Sequence, residues 1–425
     1  MKPLSTTVSA VMANIIHIVH RYPPARGGAE NHVCRLGHFL TDRGHRVRVE
    51  TTTGLTHDAF VRADSPHLKP GTTTEGPVQV RRHDVLRWPA QRILLRALES
   101  IPLPEALQPW LFPWGPVCPR LATIPLPASE KPDAVHAFAF PHGSIIAAAE
   151  MLARRYRARF ILTPFWHPGP KGPQGERIRH GFNHPALLRL ARRADMVIAQ
   201  TAGEKEHLTR WGLSESAIEV APPGIAAASI SGGSRVRGRK RWGLPDQAVV
   251  VGHLGPICRN KGSVALLETL GKLQQENIFG LLAGTVLPDA QSSVASRSSN
   301  ARIMGPLTEQ ERRDFYASID LFCLPSVIDS FGLVLLEAWS AGVPCVVFGA
   351  GGPGSIVRHG VDGLIIPESD SHYLESALAE LCRSAETRKT MGNAGNLRVL
   401  TEFTEEKRYS HLARLIESTL HNRKY

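Results

Sequence analysis

The chain has 425 residues, too many for one ordinary hydrophobic core, and this length predicts two domains of roughly 200 residues each. A hydrophobic fraction of 42% with 21% charged residues excludes a disordered chain. No apolar run reaches the ~18 to 20 residues that a membrane-spanning helix needs. The formal charge of +12 comes without a zinc-finger, RNP or KH pattern, so nucleic acid is not an expected partner, whereas peripheral contact with an anionic membrane surface suits such a charge.

Taken in chain order, residues 1–11 read as a loose extension, with Met12 as an alternative start. NIIHIVH (14–20) is a short apolar run of the kind that forms a buried parallel strand. The turn ARGGAEN and the helically spaced HVCRLGHFLTDRG follow, and VRVETTT (47–53) supplies the next strand. Strand, helix and strand in this order make the βαβ unit of a doubly wound sheet. Residues 54–130 are irregular and proline-rich, with Trp88, Trp110 and Trp114 among them. Regular alternation returns with DAVHAFA, an alanine-rich helix near 144–155, RFILTPFW and DMVIAQT. Residues 226–240 have the Gly, Ser and Arg content of a solvated linker. From AVVVGHLG (248–255) the alternation resumes, and 404–421 reads as one more amphipathic helix. The six cysteines are scattered without a CxxC pair, which suits a reducing cytoplasm, and Cys323 and Cys345 read as small core residues.

The stretch 320–367 carries the strongest chemical signal. A strand ends at Pro325, a loop carries Asp329, and a helix is expected to begin near Phe331 and to carry Glu337. Amides from Ser330 to Leu333 would then be unpaired donors for an anion, and the two acids could each accept hydroxyl hydrogen bonds from a polyol. The blander alternative makes Asp329 a helix cap and Glu337 a solvated charge. Earlier in the chain, Gly27 and Gly28 allow a close backbone approach to phosphate at a helix start.

DSFGLVLLEAWSAGVPCVVFGAGGPGSIVRHGVDGLIIP resembles the donor site of the largest retaining GT-B glycosyltransferase family, group 1, whose signature is two acids with seven residues between them. The resemblance implies that Glu337 holds donor ribose hydroxyls and that Asp329 contacts the transferred sugar. It further implies that the backbone of Phe331, Gly332 and Leu333 meets sugar and phosphate. Asp329 stands where the family has Glu, which shortens the reach by about 1.3–1.5 Å, one C–C bond. VGHLGPICRNKGSVALLETL (251–270) resembles the family's pyrophosphate turn, which makes Lys261 and Arg259 the charges that neutralise the leaving diphosphate. His253 stands there in place of an Arg. The segment around Gly27 and Gly28 resembles the family's N-terminal glycine loop. The family's HxH pattern appears as His136-Ala137-Phe138, so His142 becomes the candidate histidine of the catalytic face, with His167 a further candidate on the acceptor side.

The expected fold is thus α/β, with two Rossmann-like doubly wound domains facing across a cleft. An acceptor domain (1–225), a linker (226–240), a donor domain (241–403) and a terminal helix (404–425) packing back on the first domain are expected. The expected activity is metal-independent, retaining transfer from a nucleotide diphosphate sugar, with UDP as the default base. The acceptor is expected to be a glycan, lipid-linked compound or small molecule. No further cofactor is expected, and the place of action is the cytoplasm or the inner membrane face. The alternative is a degenerate binder of sugar nucleotides, and a transfer assay separates the two.

Overall fold

The computed structural model describes residues 12–421 apart from 100, 114, 170, 274–276 and 369–370, so the extension 1–11 and Trp114 lie outside the described residues. In the first half, β1 (Asn14–Ile18), β2 (Arg46–Thr52), β3 (Gly71–Glu75), β4 (Val78–His83), β5 (Ala134–Phe138), β6 (Arg159–Thr163), β7 (Met196–Ala199) and β8 (Ile218–Val220) form one sheet in the order β3-β4-β2-β1-β5-β6-β7-β8. Neighbours run parallel except β3 and β4. The second half builds a wholly parallel sheet from β9 (Val249–Leu254), β10 (Ile278–Ala283), β11 (Ala301–Met304), β12 (Leu321–Leu324), β13 (Cys345–Phe348) and β14 (Gly363–Ile366), ordered β11-β10-β9-β12-β13-β14. The central strands β1, β5, β12 and β13 are covered on both faces, which is why they read as continuous apolar runs. In each sheet the order of strand addition reverses beside the first strand, and this opens a crevice at the carboxyl ends of the strands.

Two segments depart from the sequence reading. The irregular stretch contains the β3–β4 hairpin and a helix, Gln91–Leu98. Strand β3, GTTTE, is almost wholly exposed and carries no hydrophobic alternation to betray it. It is held through the buried Arg82 on β4, which binds Thr73 Oγ1 at 2.7 Å and also pairs with Glu75. The expected linker is also ordered in large part: Arg235–Trp242 is a helix docked on the helix Glu309–Ser318. Its arginines are paired with acids of the second domain: Arg235 and Arg239 with Asp320, Arg237 with Asp314, and Arg241 with Glu311. Linker-like composition concealed this because each partner acid is distant in sequence.

The chain passes from the first domain to the second at Ile225 and comes back at Thr404. These two crossings are bonded to one another, with Ile225 N donating to Phe403 O at 2.9 Å and Glu405 N to Ile225 O at 3.0 Å. Gly224 has no room for a side chain, since a Cβ would sit 2.7 Å from Thr404 O. The last helix, Glu405–His421, then buries Tyr409, Leu412, Ala413 and Ile416 against Val33, Leu36 and Leu40 of the first domain. Arg43 and His45 hold its Glu417 at 2.9 and 3.1 Å.

The first domain buries several imidazoles. His17, His32 and His136 are enclosed with Phe138. Burial pushes His17 down to about 3 and His32 to about 4, and holds His136 well below the ordinary histidine value. Below about pH 6.5 the unfolded chain therefore takes up protons that the folded chain refuses, and stability falls as the pH drops toward 4, by up to about 1.4 kcal/mol per pH unit for each ring. Urea midpoints taken across this range should fall steeply, and His17→Phe should flatten the slope; a pH-independent midpoint would contradict the assignment.

Candidate active site

Pro325 cannot extend the ladder, so the chain leaves the sheet directly after β12. It runs through Asp329 and enters the helix Leu333–Ser340 at Gly332, whose φ of +89° suits glycine. That left-handed residue sets the helix start two positions later than the sequence suggests. Phe331 is buried in the apolar core, so only its backbone remains for a ligand. Glycines on the neighbouring turn allow close approach. Gly352 N donates to Asp329 O at 2.9 Å, and a Cβ on Gly351 or Gly352 would stand 2.5 or 2.1 Å from the carbonyl of Asp329 or Ser330.

Lys261 comes to the same loop from β9. Gly262 takes φ +75° and lies so near Pro325 O that an added Cβ would be 2.0 Å away, which draws the Lys261 turn in beside Asp329. Lys261 Nζ is 2.6 Å from Asp329 Oδ1. Burial opposes ionisation of Asp329, but the Lys261 charge and its hydrogen bond outweigh it and hold the carboxyl below the usual range. From the first domain, His167 couples electrostatically to both groups; burial lowers its pKa to about 4, with Lys261 acting in the same direction and Asp329 against it. Asp329 Oδ2 and His167 Nδ1 are both buried without a well-formed hydrogen bond.

Glu337 is buried on the new helix. Its Oε1 accepts from Arg312 Nη1 at 3.0 Å and its Oε2 from Tyr316 Oη at 2.9 Å. These bonds fix the carboxylate and still leave each oxygen a second lone pair. Arg312 and Tyr316 lie four apart on the helix Glu309–Ser318, a spacing that places them on one face. Arg259 is exposed on the turn Arg259–Lys261, where its backbone N donates to Asp289 Oδ2 at 3.1 Å.

Two sequence candidates stand elsewhere. His253 is fully buried in β9, with Nδ1 3.0 Å from Cys323 O and Nε2 2.9 Å from Ser263 Oγ. With both nitrogens engaged inside the domain it cannot touch a donor, and burial lowers its pKa to about 4. His142 immediately precedes the helix Gly143–Tyr156 and lies with His20 and His57, and the histidine coupled to the Lys261–Asp329 pair is His167. Phe138, at the second position of the HxH pattern, points into the core. At the N-terminal loop, Glu30 folds back over Gly27 to meet Arg21 at 2.6 Å, and a Cβ on Gly27 would collide with it; Gly28 faces open space.

The opposing wall was not foreseen. Ser330 Oγ donates to Gln200 Oε1 across the cleft at 3.1 Å. Glu204 accepts from Trp166 N at 2.8 Å and from Gln200 N at 2.7 Å, and burial lifts its pKa to about 7 against those bonds. Thr201-x-x-Glu204 is a capping pattern that could have revealed it. Trp166, Gly203 and Glu204 face Gly351, Gly352 and Ser355 around a cavity of about 220 Å³ between the domains. A larger cavity of about 490 Å³ belongs to the first domain alone, between Leu98, Phe112 and Arg189, and none of the sequence-derived site residues lines it.

Comparison with known proteins places this geometry. A profile described as Glycosyl transferase 4-like domain matches residues 27–224, and one described as Glycosyl transferases group 1 matches residues 247–384. A D-inositol 3-phosphate glycosyltransferase from Nocardiopsis dassonvillei is 30% identical over 385 residues, covering 84% of this chain and 81% of that protein. Against the protein of the same description from Kribbella flavida, identity is 29% over 217 residues, and the match spans about half of each, 47% of this chain and 51% of the relative. Anabaena HepE, solved in complex with UDP and glucose, superposes with a TM-score of 0.71 at 18% identity, covering 96% of this chain and 100% of that one. The paired profiles and the identity to a relative sustained over most of both chains show that this chain belongs to the group 1 glycosyl transferases, built on the GT-B fold.

Proposed function

We propose that this chain is a retaining glycosyltransferase that moves a sugar from a UDP-sugar to an acceptor hydroxyl, with no metal needed for the chemical step. One observation carries this reading: Asp329 Oδ2 and His167 Nδ1, two buried polar atoms without good partners, belong to opposite domains and are electrostatically linked through Lys261. An unmade buried hydrogen bond costs about 1–3 kcal/mol, so a hydroxyl-rich ligand between the domains is the natural way to satisfy both. Lys261 and the amides at Leu333 would take the diphosphate. Charge placed in advance where the leaving group develops it is commonly the largest catalytic term. Arg259, exposed beside them, is the second cation, and Glu337 takes the ribose from the position fixed by Arg312 and Tyr316. Gly27 and Gly28 bring first-domain backbone to the diphosphate, His142 remains the catalytic-face candidate by resemblance, and His167 is the candidate on the acceptor side. The departing phosphate takes the acceptor proton on the face it leaves, which gives retention.

The UDP of Anabaena HepE supports the choice of base, and the relatives' descriptions favour a hydroxyl on a phosphorylated cyclitol among small-molecule, glycan and lipid-linked acceptors. Contact with an anionic membrane fits the exposed Ile93 and Leu94 beside Arg92 on the helix Gln91–Leu98. The degenerate-binder alternative draws little from His253 and Phe138, since both departures fall on core-facing positions.

Thermal shifts with UDP, GDP and ADP identify the base, and the anomeric NMR signal of the product tests retention; an inverted product would overturn the mechanism. Glu337→Gln, which keeps the shape that Arg312 and Tyr316 require, should weaken UDP binding about 10- to 100-fold with the fold intact. Unchanged affinity would remove Glu337 from the donor site. Lys261→Ala should lower kcat by about 10²-fold or more and weaken UDP binding as well, since UDP carries the diphosphate that Lys261 would neutralise. A native kcat in that variant would exclude Lys261 from the chemistry.

A further inference from the structure

Three histidines stand together at the carboxyl edge of the first sheet, beyond three adjacent strands. His20 follows β1, His57 lies in the loop after β2, and His142 follows β5. The His20 and His142 rings are 4.0 Å apart, and His57 lies 5.6 and 5.9 Å from them. Each can offer one ring nitrogen so that all three nitrogens fall within 4.8 Å of one another. A second observation points to a ligand. His20 is 97% enclosed by the protein (3% exposed), its Nε2 faces Glu30 Oε1 at 3.6 Å, and its Nδ1 is buried with no hydrogen-bond partner. A carboxylate on the side of one imidazole nitrogen, a small ring movement short of accepting its N–H, with the other nitrogen left bare, approaches the arrangement that orients histidines toward a metal. Glu30 also offsets the positive charge of Arg21, which it meets at 2.6 Å.

We propose that His20, His57 and His142 form a binding site for a divalent transition-metal ion of the zinc class, with Glu30 as the outer carboxylate. Three imidazoles and an open fourth position suit Zn²⁺ at N–metal distances of about 2.0–2.1 Å. Reaching that distance requires each nitrogen to move inward by about 1 Å or less. His20 and His142 are fixed by burial, whereas His57 is exposed and can turn its ring toward the others at little packing cost. The remaining coordination position is left for water or a ligand hydroxyl at the acceptor side of the crevice. The site is independent of the donor chemistry proposed above, which involves none of His20, His57 and Glu30.

Calorimetric titration of the full chain with ZnCl₂, and visible absorption on titration with Co²⁺, test the proposal. One ion should bind per chain, and Co²⁺ should give the intense d–d bands of tetrahedral nitrogen coordination. His57→Ala should weaken binding by about tenfold or more and abolish those bands, with UDP binding and the metal-free melting temperature unchanged. No saturable binding to the native chain, or Zn²⁺ binding and Co²⁺ bands that survive His57→Ala, would overturn the site. UDP binding measured in parallel shows whether the donor domain is sound, so failure here is distinguishable from failure of the transferase reading.

Discussion

The ion pair of Lys261 and Asp329 organises much of this molecule. An ammonium on the turn after β9 and a carboxylate on the loop after β12 meet at 2.6 Å only because backbone comes into contact twice nearby. Gly262 lies against Pro325, and the glycines 351 and 352 lie against Asp329 and Ser330. Any side chain at those three glycines would push the loops apart and leave a half-buried charge without its partner. The glycine content of this region is therefore a condition for the charge arrangement.

The same pair links the two domains. His167 reaches the electrostatic field of Lys261 from the first domain, and Gln200 receives a hydrogen bond from Ser330 beside it. Glu204 in turn anchors the loop that carries Trp166 and His167 through the amide of Trp166. Ser330, Gln200, Glu204 and Trp166 thus form one chain of hydrogen bonds across the crevice, beside the Lys261–Asp329 pair.

The doubly wound halves were legible in the sequence because buried parallel strands are short apolar runs separated by amphipathic helices. The acid loop was legible because Asp329, Glu337 and the glycines near them are tied to local geometry. Strand β3 was hidden because an exposed antiparallel edge needs no apolar residues, and the helix Arg235–Trp242 because its partners Asp314 and Asp320 are some 80 positions distant. His253 misled for a related reason. Adjacency to the Arg259–Lys261 turn does not tell which face of β9 a side chain takes, and a residue on the inner face finds Ser263 and Cys323. The pattern put His142 ahead of His167, because spacing does not tell which loop the opposite domain meets, and it is His167 that couples to Lys261 and Asp329.

The paired crossings at Ile225 and Thr404 have a mechanical consequence. Two connections that are hydrogen-bonded to each other cannot bend at separate places, so relative movement of the halves is confined to swings about one short segment. Gly224, packed against Thr404 and Glu405, sits where that torsion must be absorbed. Beyond the crossing, the last helix is riveted to the first domain by Tyr409, Ile416 and Glu417 and moves with it as one lever arm. The crevice should accordingly open and shut like a jaw with a single axle, keeping the two walls in register through each cycle.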